Sequence, residues 1–386
     1  MNIIHVIVTL DPAKGGPPAV VTRLAAAQAQ QGHSVSIVSY SVSERRAQVD
    51  AMLQGVPGMA AVNIVEVDGR GRTERLFGRG VSQAIRHLMR PQSILHLHGV
   101  WEPMLLAAAR TARRAGVPYA ITPHGMLDPW SLSQGRLKKR LALLLAYRHM
   151  INHAAFLHAL NADEETLLKP LGFRSPVHVI PNGVFIEEVE PLPKAGVFRD
   201  MHPELSHAPF ILFLSRLHYK KGLDYLAHAF ERVAAKNGSI RLVVAGPDGG
   251  AQDDFVQQIA QAKLTDRVHV IGPIYGPSKL GALVDASCFC LPSRQEGFSI
   301  AITEALACGV PVVISDACHF PEVAEAGAGE VVPLDADAVA QALLTIIGDE
   351  ALRRRMSQAG RELVRSRFTW PKIAVRMVQC YEQSVH

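Results

Sequence analysis

The segment EGFSIAITEALACGVPVVISD, residues 296–316, contains two glutamates separated by seven residues, Glu296 and Glu304. An apolar run at residues 288–291 predicts a buried strand, and the polar break after it leads into a helix predicted over residues 298–308. Glu296 therefore lies in a loop at the carboxyl end of a strand, where ligands of open α/β sheets bind. Helical side chains lean toward the helix N-terminus, so Glu304 points back at the same pocket. A bare pair of this spacing is also compatible with two solvated surface charges.

The residues between the two glutamates bring backbone amides to the same place. Four amides are expected at the helix N-terminus, those of Gly297, Phe298, Ser299 and Ile300. Unpaired N–H groups at a helix N-terminus suit a phosphate. The loop carboxylate can accept hydrogen bonds from ligand hydroxyls, and the helical carboxylate would suit a ribose diol. The segment can therefore hold a phosphate and a polyol side by side.

Arg216 and Lys221 follow a strand predicted at residues 210–215 and lie at its carboxyl end. Arginine binds phosphate oxygens with a bidentate fork, and lysine supplies a compact point charge. Together they could stabilise the negative charge that builds up on a diphosphate leaving group. The alternative is that these residues only decorate a surface loop, which is the expectation for Lys220.

His124 follows a strand predicted at residues 119–122 and precedes a glycine, which allows close backbone approach to a ligand. It could hydrogen-bond a sugar, although a packed structural histidine is the simpler alternative. His96 and His98 share one face of another strand, so a metal site with His124 is conceivable. We favour packing or acceptor contacts, because no acidic ligand is near in the sequence.

Strands and helices alternate almost throughout the chain, which predicts doubly wound sheets. Residues 41–80 are the least regular part, and we expect a mobile surface loop there. Prolines punctuate a polar linker over residues 191–209, after which a second alternating series begins. The strands expected in the first half lie at residues 5–10, 35–40, 94–98, 119–122, 155–159 and 178–181. Those expected in the second half lie at residues 210–215, 240–246, 269–272, 287–291 and 310–315.

Composition narrows the class of protein. With 386 residues, 48% of them hydrophobic, the chain has core enough for two or three domains. The apolar first residues read as a strand and not as a leader peptide, and no stretch reaches the roughly 20 residues of a membrane span. Five cysteines without framework spacing argue against a disulfide-stapled domain. We therefore expect a cytoplasmic enzyme, and the low aromatic content argues against nucleic acid as a partner.

The segment 296–316 resembles the E-x7-E signature of retaining glycosyltransferase family 4, whose members have the GT-B fold. Other stretches resemble the family in the same order, including the glycine-rich loop at residues 11–18, PHGMLDPW, IPNGV, LSRLHYKKGLD and VVAGPDGG. The resemblance implies two Rossmann-like doubly wound α/β domains facing a central cleft. The acceptor-binding domain would span residues 1–190, with a C-terminal helix at 369–386 packing back on it. The donor-binding domain would span residues 191–368.

The family's site residues can be placed on matching positions of this chain. Catalytic roles would fall to His124, Glu296, Arg216 and Lys221. Donor binding would fall to Gly15, Gly16, Arg216, Lys221, Gly246, Gly297, Phe298, Ser299, Ile300 and Glu304. Acceptor binding would fall to His98, Asp128 and Trp130.

The resemblance implies a hexosyltransferase that moves sugar from a nucleoside-diphosphate sugar to a saccharide acceptor with retained anomeric configuration, in bacterial cell-surface polysaccharide or lipopolysaccharide synthesis. We expect no cofactor and no required metal, because the pair Asp335 and Asp337 is most simply explained as a helix start. Two alternatives remain open. One is an epimerase or phosphorylase of the same fold, and the other is a non-catalytic partner that binds nucleotide sugar.

The segment RLKKRLALLLAYR, residues 136–148, combines basic residues with a leucine face, and the chain carries a net charge of +5. Such a segment could lie on an anionic membrane surface. The acceptor would then be a lipid-linked saccharide, and the enzyme would be peripheral at the inner face of the cytoplasmic membrane. An ordinary core-facing helix with a solvated basic face is an equal alternative.

Overall fold

The computed structural model contains two parallel sheets. It describes residues 1–69, 71–205 and 208–385, except for the side chains of Trp130 and Arg136. One structural unit contains Met1–Glu188 and the C-terminal helix Trp370–Val385, and the other contains Val189–Thr369. The chain passes from unit 1 to unit 2 after Glu188, two residues before the predicted boundary at residue 190. It returns to unit 1 after Thr369, one residue after the predicted boundary at residue 368.

Unit 1 contains a seven-stranded sheet with strand order β3-β2-β1-β4-β5-β6-β7. Its strands are β1 (Asn2–Ile7), β2 (Ser34–Tyr40), β3 (Asn63–Val67), β4 (Ser93–His98), β5 (Tyr119–Thr122), β6 (Phe156–Ala159) and β7 (Val177–Val179). Its helices are α1 (Gly16–Gln30), α2 (Arg46–Gln54), α3 (Arg72–Phe77), α4 (Arg79–Leu88), α5 (Pro103–Arg114), α6 (Pro129–Ser133), α7 (Arg136–Ala142), α8 (Arg148–Asn152), α9 (Ala162–Leu168) and the C-terminal helix, which packs against α1.

Unit 2 contains a six-stranded sheet with strand order β10-β9-β8-β11-β12-β13. Its strands are β8 (Phe210–Leu214), β9 (Arg241–Ala245), β10 (Val268–Gly272), β11 (Cys288–Leu291), β12 (Val312–Ser315) and β13 (Gly329–Val332). Its helices are α10 (Val197–Met201), α11 (Leu223–Lys236), α12 (Gln252–Gln261), α13 (Gly276–Asp285), α14 (Ile300–Cys308), α15 (Glu322–Glu325), α16 (Ala336–Gly348) and α17 (Glu350–Arg367).

Both sheets are parallel and have helices between successive strands, which explains their apolar central strands. Strands β1, β4, β8 and β11 are buried along their whole length, as expected when helices cover both faces of a sheet. The strand order reverses between β1 and β4 in unit 1 and between β8 and β11 in unit 2. The carboxyl ends beside these two reversal points are where doubly wound folds bind ligands.

Residues 41–80 contain more regular structure than their composition indicated, and the mobile loop expected somewhere within them stays a prediction. The described part of this segment folds into α2, β3 and α3, and Arg70 lies outside the described residues. Strand β3 is partly exposed and includes Asn63 and Glu66, so it lacks the continuous apolar run that marks a central strand. Edge strand β13 was missed for the same reason, since it begins with Gly329 and is only partly buried.

The first strand was predicted three residues too late. Strand β1 pairs with β2 and β4 from Asn2 onward, and the chain leaves the sheet after Ile7. Leu10 is nevertheless buried, because the loop that carries it turns inward before Asp11 caps a short 3-10 helix. The sequence therefore stays apolar beyond the end of the strand, which placed the predicted end of the strand too late. No helix among the described residues is long and apolar enough to cross a membrane.

Candidate functional site

The loops after β8 and β9 in unit 2 are built on glycines that no other residue could replace. Gly246, at the end of β9, has a φ of 149°, and a Cβ there would lie 1.8 Å from the carbonyl oxygen of Ser215. Gly222 has a φ of 68°, and a Cβ there would lie 1.8 Å from the carbonyl oxygen of Pro292. The loops after β8, β9 and β11 therefore approach one another backbone to backbone.

Glu296 lies in the loop after β11 and is 9% exposed. Lys221 Nζ donates to its Oε1 at 2.6 Å, and the Ser293 hydroxyl donates to the same oxygen at 2.7 Å. The Glu296 backbone N–H donates to the Ala317 carbonyl at 3.1 Å, which fixes the loop. Two predicted residues, Glu296 and Lys221, thus form one ion pair at the reversal point of the sheet.

The loop that carries Lys221 is held by neighbouring groups. The Arg294 N–H donates to the Lys220 carbonyl at 2.7 Å, and the Lys220 ammonium donates to Gln295 at 2.9 Å. The Arg294 guanidinium pairs with Asp224 and lies 4.0 Å from the ring centre of Tyr219. A charged and stacked arginine of this kind is a strong anchor, so Lys221 is presented by an ordered loop.

Glu304 lies on α14, and its carboxylate Oε1 accepts a 2.6 Å hydrogen bond from Lys279 Nζ on α13. The Glu304 side chain is 17% exposed and that of Lys279 is 26% exposed, so both groups remain accessible. The sequence did not reveal Lys279 or Ser293, because neither stands in a recognisable motif.

Helix α14 begins two residues later than predicted. Ser299 is the N-cap residue with extended backbone, and Ile300 is the first helical residue. The unpaired helical amides therefore start at Ile300, whereas Gly297 and Phe298 belong to the preceding loop. The Phe298 ring packs 5.3 Å from the ring of Phe320, which explains why this apolar residue looked like the helix start.

Arg216 is exposed at the carboxyl end of β8, and its aliphatic stem lies beside Gly249. A Cβ on Gly249 would lie 2.9 Å from Arg216 Cδ, so the glycine leaves room for this side chain. The pKa of His218 is lowered by burial first and then by the positive charges of Arg216, Lys220 and Lys221. Three positive charges thus act on this loop, as is common at anion sites.

Gly15 and Gly16 join β1 to α1 in unit 1. Gly15 has a φ of 103° and ends a short 3-10 helix, and Gly16 is the first residue of α1. This loop borders a cavity of about 890 Å³ at the carboxyl ends of β1 and β2. The polar residues that line the cavity include Asp11, Lys14, Tyr40, Arg45 and Glu102. Groups of both charges around an open cavity suit a polyhydroxylated ligand.

His124 lies in the loop after β5 in a left-handed conformation, with φ of 51°, and is partly exposed. Its Nε2 lies 3.2 Å from His98 Nδ1, and His98 Nε2 lies 2.9 Å from His5 Nδ1. The Nε2 atom of His5 in turn lies 2.7 Å from the side-chain oxygen of Gln28. Four side chains thus form one chain of hydrogen bonds that leads from the core to the surface.

A second series of hydrogen bonds crosses the same sheet. Its members are His158, Thr122, His96 and Tyr381, the last from the C-terminal helix. Burial lowers the pKa of His5 and of His158 to about 4, and that of His124 to about 3. Burial also holds the pKa values of His96 and His98 well below the usual 6.5. All five imidazoles are therefore uncharged at neutral pH.

The metal alternative considered from the sequence involves different histidines in the structure. One nitrogen each of His5, His96 and His98 lies within 4.8 Å of the others, whereas His124 is not part of this group. Every ring nitrogen of these three residues already lies within 3.2 Å of a hydrogen-bond partner. A metal ion would have to break that network, so the arrangement fits hydrogen bonding better than metal binding.

The predicted acceptor-binding residues have structural partners. His98 is 3% exposed and lies between His5 and His124, which does not fit direct contact with an acceptor. Asp128 is 8% exposed and caps α6 by accepting from the Ser131 N–H at 2.5 Å. The side chain of Trp130 lies outside the described residues.

The sequence also missed Glu164, a buried carboxylate behind the His124 loop. It accepts hydrogen bonds from the Gly125 N–H at 3.1 Å and from the Leu160 N–H at 2.8 Å. Burial raises the pKa of Glu164. By fixing Gly125, this carboxylate holds the loop on which the His124 side chain depends.

The segment 136–148 has an unusual surface. Four of its five leucines are largely exposed, with exposed fractions of 82% for Leu137, 57% for Leu141, 77% for Leu144 and 75% for Leu145, whereas Leu143 is partly buried and packs against the core. The four exposed leucines do not face the core, so the alternative of an ordinary core-facing helix is wrong for these four residues. Arg110, Arg113 and Arg114 of α5 lie beside Leu145 around one surface depression.

Comparison with known proteins follows the division of the chain. A family model described as a glycosyl transferase 4-like domain matches residues 15–183, and one described as glycosyl transferases group 1 matches residues 198–363. The gpi3 subunit of phosphatidylinositol N-acetylglucosaminyltransferase from Schizosaccharomyces pombe is 26% identical over 75% of this chain and 60% of that protein. A phosphatidyl-myo-inositol mannosyltransferase from Mycobacterium leprae is 32% identical over 53% of this chain and 52% of that protein.

The chain thus matches less than two thirds of the length of either relative. Among solved structures, HepE from Anabaena in complex with UDP and glucose shares the fold, with a TM-score of 0.75, 19% identity and 99% coverage of both chains. The two family models together account for most of both structural units. The chain therefore belongs to glycosyltransferase family 4 and has the GT-B fold.

Proposed function

We propose that this protein is a retaining, metal-independent hexosyltransferase that uses a nucleoside-diphosphate sugar as donor. The observation that carries the proposal is the arrangement of Lys221, Glu296 and Ser293 at the reversal point of the unit 2 sheet, with Glu304 and Lys279 on adjacent helices. This arrangement offers cations for a diphosphate and carboxylates for hydroxyl groups. The crystal structure of HepE, a protein of the same fold, contains UDP and glucose, which supports a nucleotide sugar as ligand.

Each group has a role in the proposed donor complex. Arg216, Lys221 and the amides from Ile300 onward stabilise the diphosphate. Glu296 accepts hydrogen bonds from hydroxyls of the donor sugar, and Glu304 accepts them from the ribose diol. In unit 1, His124 forms a hydrogen bond with a sugar hydroxyl. In unit 2, Gly246 provides the close backbone approach that these contacts need.

The proposed chemistry retains the anomeric configuration without a covalent enzyme intermediate. A hydroxyl oxygen of the acceptor attacks the anomeric carbon on the face from which the diphosphate leaves. The bond between the anomeric carbon and the phosphate oxygen breaks, and the departing phosphate takes the proton of the acceptor hydroxyl. Glu296 is held by Lys221 and Ser293, which suits a binding role better than that of a nucleophile.

Positive charge from the protein takes the place of a divalent ion in this proposal. The Asp335 side chain accepts hydrogen bonds from the N–H groups of Asp337 and Ala338 and so serves as the N-cap of α16. The Asp335-Ala336-Asp337 sequence is thus explained by its place at the start of α16. Full transfer activity in the presence of a chelator is the expected result.

The proposed acceptor is a saccharide carried on a lipid in bacterial cell-surface polysaccharide or lipopolysaccharide synthesis. The exposed leucines of segment 136–148 and the exposed Lys138 and Arg140 support contact with an anionic membrane at its cytoplasmic face. Both relatives reported above are named for reactions on phosphatidylinositol lipids. The cavity beside Gly15 offers room for the saccharide part.

The decisive experiment is a thermal-shift and calorimetric screen against nucleoside diphosphates and their sugars. One nucleotide class should raise the melting temperature, since a ligand that binds only the folded state stabilises it by mass action. Lys221→Ala and Glu304→Ala should abolish the shift. Lys236→Ala is the control, because Lys236 is an exposed lysine in the last turn of α11.

The nucleotide class identified in this way then enters a transfer assay. Acceptor-dependent release of nucleoside diphosphate, with an unchanged anomeric configuration in the product, is the expected result. Turnover of donor without an acceptor saccharide would favour an epimerase or a phosphorylase. Binding without turnover in any assay would favour a non-catalytic partner. If no member of the donor panel raises the melting temperature of the folded protein, the proposal is contradicted.

A further inference from the structure

The direction of the hydrogen bonds in unit 1 follows from two fixed acceptors, the backbone carbonyl of Ile180 and the side-chain oxygen of Gln28. A carbonyl only accepts, so His158 Nε2, 2.7 Å away, carries the proton. A neutral imidazole has one N–H, which leaves His158 Nδ1 as an acceptor for the Thr122 hydroxyl at 2.7 Å. Since that proton is used, the Thr122 oxygen accepts from His96 Nε2–H at 2.6 Å.

The same reasoning gives the direction of the hydrogen bond to Tyr381 of the C-terminal helix. His96 Nδ1 has no proton, so the Tyr381 hydroxyl donates to it at 2.5 Å. The Tyr381 oxygen can then only accept. Gln28 Nε2 has no hydrogen-bond partner among the described residues, whereas the Gln28 side-chain oxygen lies 2.7 Å from His5 Nε2. An amide oxygen only accepts, so the Gln28 oxygen is a second fixed acceptor.

The last three steps follow without further choice. His5 Nε2–H donates to the Gln28 oxygen at 2.7 Å, so His5 Nδ1 accepts from His98 Nε2–H at 2.9 Å. His98 Nδ1 then accepts from His124 Nε2–H at 3.2 Å. The remaining nitrogen of His124, Nδ1, is left without a proton. Within the described part of the chain it has no hydrogen-bond partner, and His124 is partly exposed.

We propose that Gln28, His5 and His98 are positioning residues that fix His124 as the Nε2–H tautomer and present its Nδ1 as a neutral hydrogen-bond acceptor. The group that His124 recognises is therefore one that donates, such as a hydroxyl, and not an anionic oxygen of a phosphate or carboxylate. The identity of that hydroxyl as one of a sugar rests on the proposed function. The tautomer itself does not.

The test is nitrogen NMR of the full chain with ¹⁵N-labelled histidine, which distinguishes protonated from bare ring nitrogens. The chain has 17 histidines, so the His124 signals are assigned by their loss in His124→Gln. The expected result is a single tautomer protonated at Nε2. A proton on Nδ1 of His124, or an even mixture of the two forms, would overturn the proposal. So would stoichiometric zinc bound by His5, His96 and His98 in the purified protein.

Two substitutions of His98 separate positioning from packing. In His98→Asn the amide oxygen can replace Nδ1 as the acceptor, and the single tautomer of His124 should persist. In His98→Leu the acceptor is lost, and both tautomers of His124 should appear. Equal spectra for the two variants would contradict the relay. If His98→Leu fails to fold, His5→Asn and His5→Phe provide the same comparison one step further from the surface.

Activity provides the second readout. His98→Leu should lower kcat of transfer about tenfold, the effect of one lost hydrogen bond, while His98→Asn should stay near the parent value. A fixed tautomer in a protein that transfers no sugar would refute the proposed function and leave the relay intact. Transfer that proceeds normally while His124 shows the opposite tautomer would refute the relay alone.

Discussion

Glu296 and Lys221 show which parts of the site can be predicted from residue types and their spacing. Both were predicted from motifs, and the structure joins them in one ion pair of 2.6 Å. Their neighbours Ser293 and Lys279 could not be predicted, because each is brought in by a different loop or helix whose position depends on the tertiary fold. A sequence motif thus identifies the residues that a ligand would contact more readily than the residues that support them.

Ser293 offers a test of that supporting role. Ser293→Ala removes one of two hydrogen bonds on the Glu296 carboxylate while the Lys221 ion pair remains. We expect the rate of nucleoside-diphosphate release to fall about tenfold, with little change in the melting temperature. Initial rates at saturating donor measure the effect. An unchanged rate would show that the Lys221 ion pair alone holds the carboxylate.

Gly246 tests the backbone beneath the site. A Cβ in Gly246→Ala would lie 1.8 Å from the Ser215 carbonyl oxygen, and the φ of 149° is unfavourable for any other residue. We expect the free energy of unfolding to fall by about 2–4 kcal/mol. Urea unfolding measures it. Gly238→Ala is the control, because nothing lies within 4 Å of its added Cβ. Equal midpoints for both variants would refute the argument.

At the scale of elements, the central strands were predictable and the edges were not. Strands such as β4 and β11 are continuous apolar runs, because both faces of the sheet are covered. The edge strands β3 and β13 are partly exposed and carry a weaker signal. Helix α14 was placed correctly apart from its first turn, where Phe298 packs on aromatic neighbours before the helix begins.

The strands β1, β4 and β6 together bury a set of histidines whose pKa values burial lowers, and this has a consequence for acid stability. The unfolded chain protonates them near pH 6.5, whereas folded His5 and His158 protonate only near pH 4. Stability is therefore complete above pH 6.5 and is lost as the pH falls toward 4. Each such histidine lowers the free energy of unfolding by about 3 kcal/mol near pH 4. Glu164, whose pKa is raised, opposes this loss.

The measurement is the urea midpoint of unfolding between pH 8 and pH 4.5. We expect a decline that begins near pH 6.5 and that is smaller in His158→Gln, which starts from a lower midpoint. The exposed His228 provides the control, since His228→Gln should leave the pH dependence unchanged. A midpoint that stays constant from pH 7 to pH 5 would contradict the assignment of uncharged buried imidazoles.

At the scale of the whole molecule, the exposed leucines of segment 136–148 are the feature that the two sheets do not explain. Leu137, Leu144 and Leu145 are each at least three-quarters exposed, beside basic residues. Exposed apolar patches on soluble proteins commonly mark contact surfaces. The sequence predicted the amphipathic composition of this segment but could not show whether its leucines faced the core.

Binding to lipid vesicles tests this surface. The full chain should sediment with vesicles that contain anionic lipid, and less so with neutral vesicles or at high salt, because screening weakens the attraction. A triple variant with Leu141→Gln, Leu144→Gln and Leu145→Gln should lose the binding. Leu76→Gln, at another leucine that is 66% exposed, is the matched control. Equal loss in both variants, or no binding at all, would refute a membrane role.

The C-terminal helix has a consequence for how the protein is made. Unit 2 is continuous in the chain, whereas unit 1 needs the helix Trp370–Val385, which follows unit 2. During synthesis, unit 2 can therefore fold on the ribosome while unit 1 still lacks a part. That part carries Tyr381, whose hydroxyl completes the hydrogen bonds of His96. The buried histidine network is thus closed by a side chain that leaves the ribosome only after the whole of unit 2.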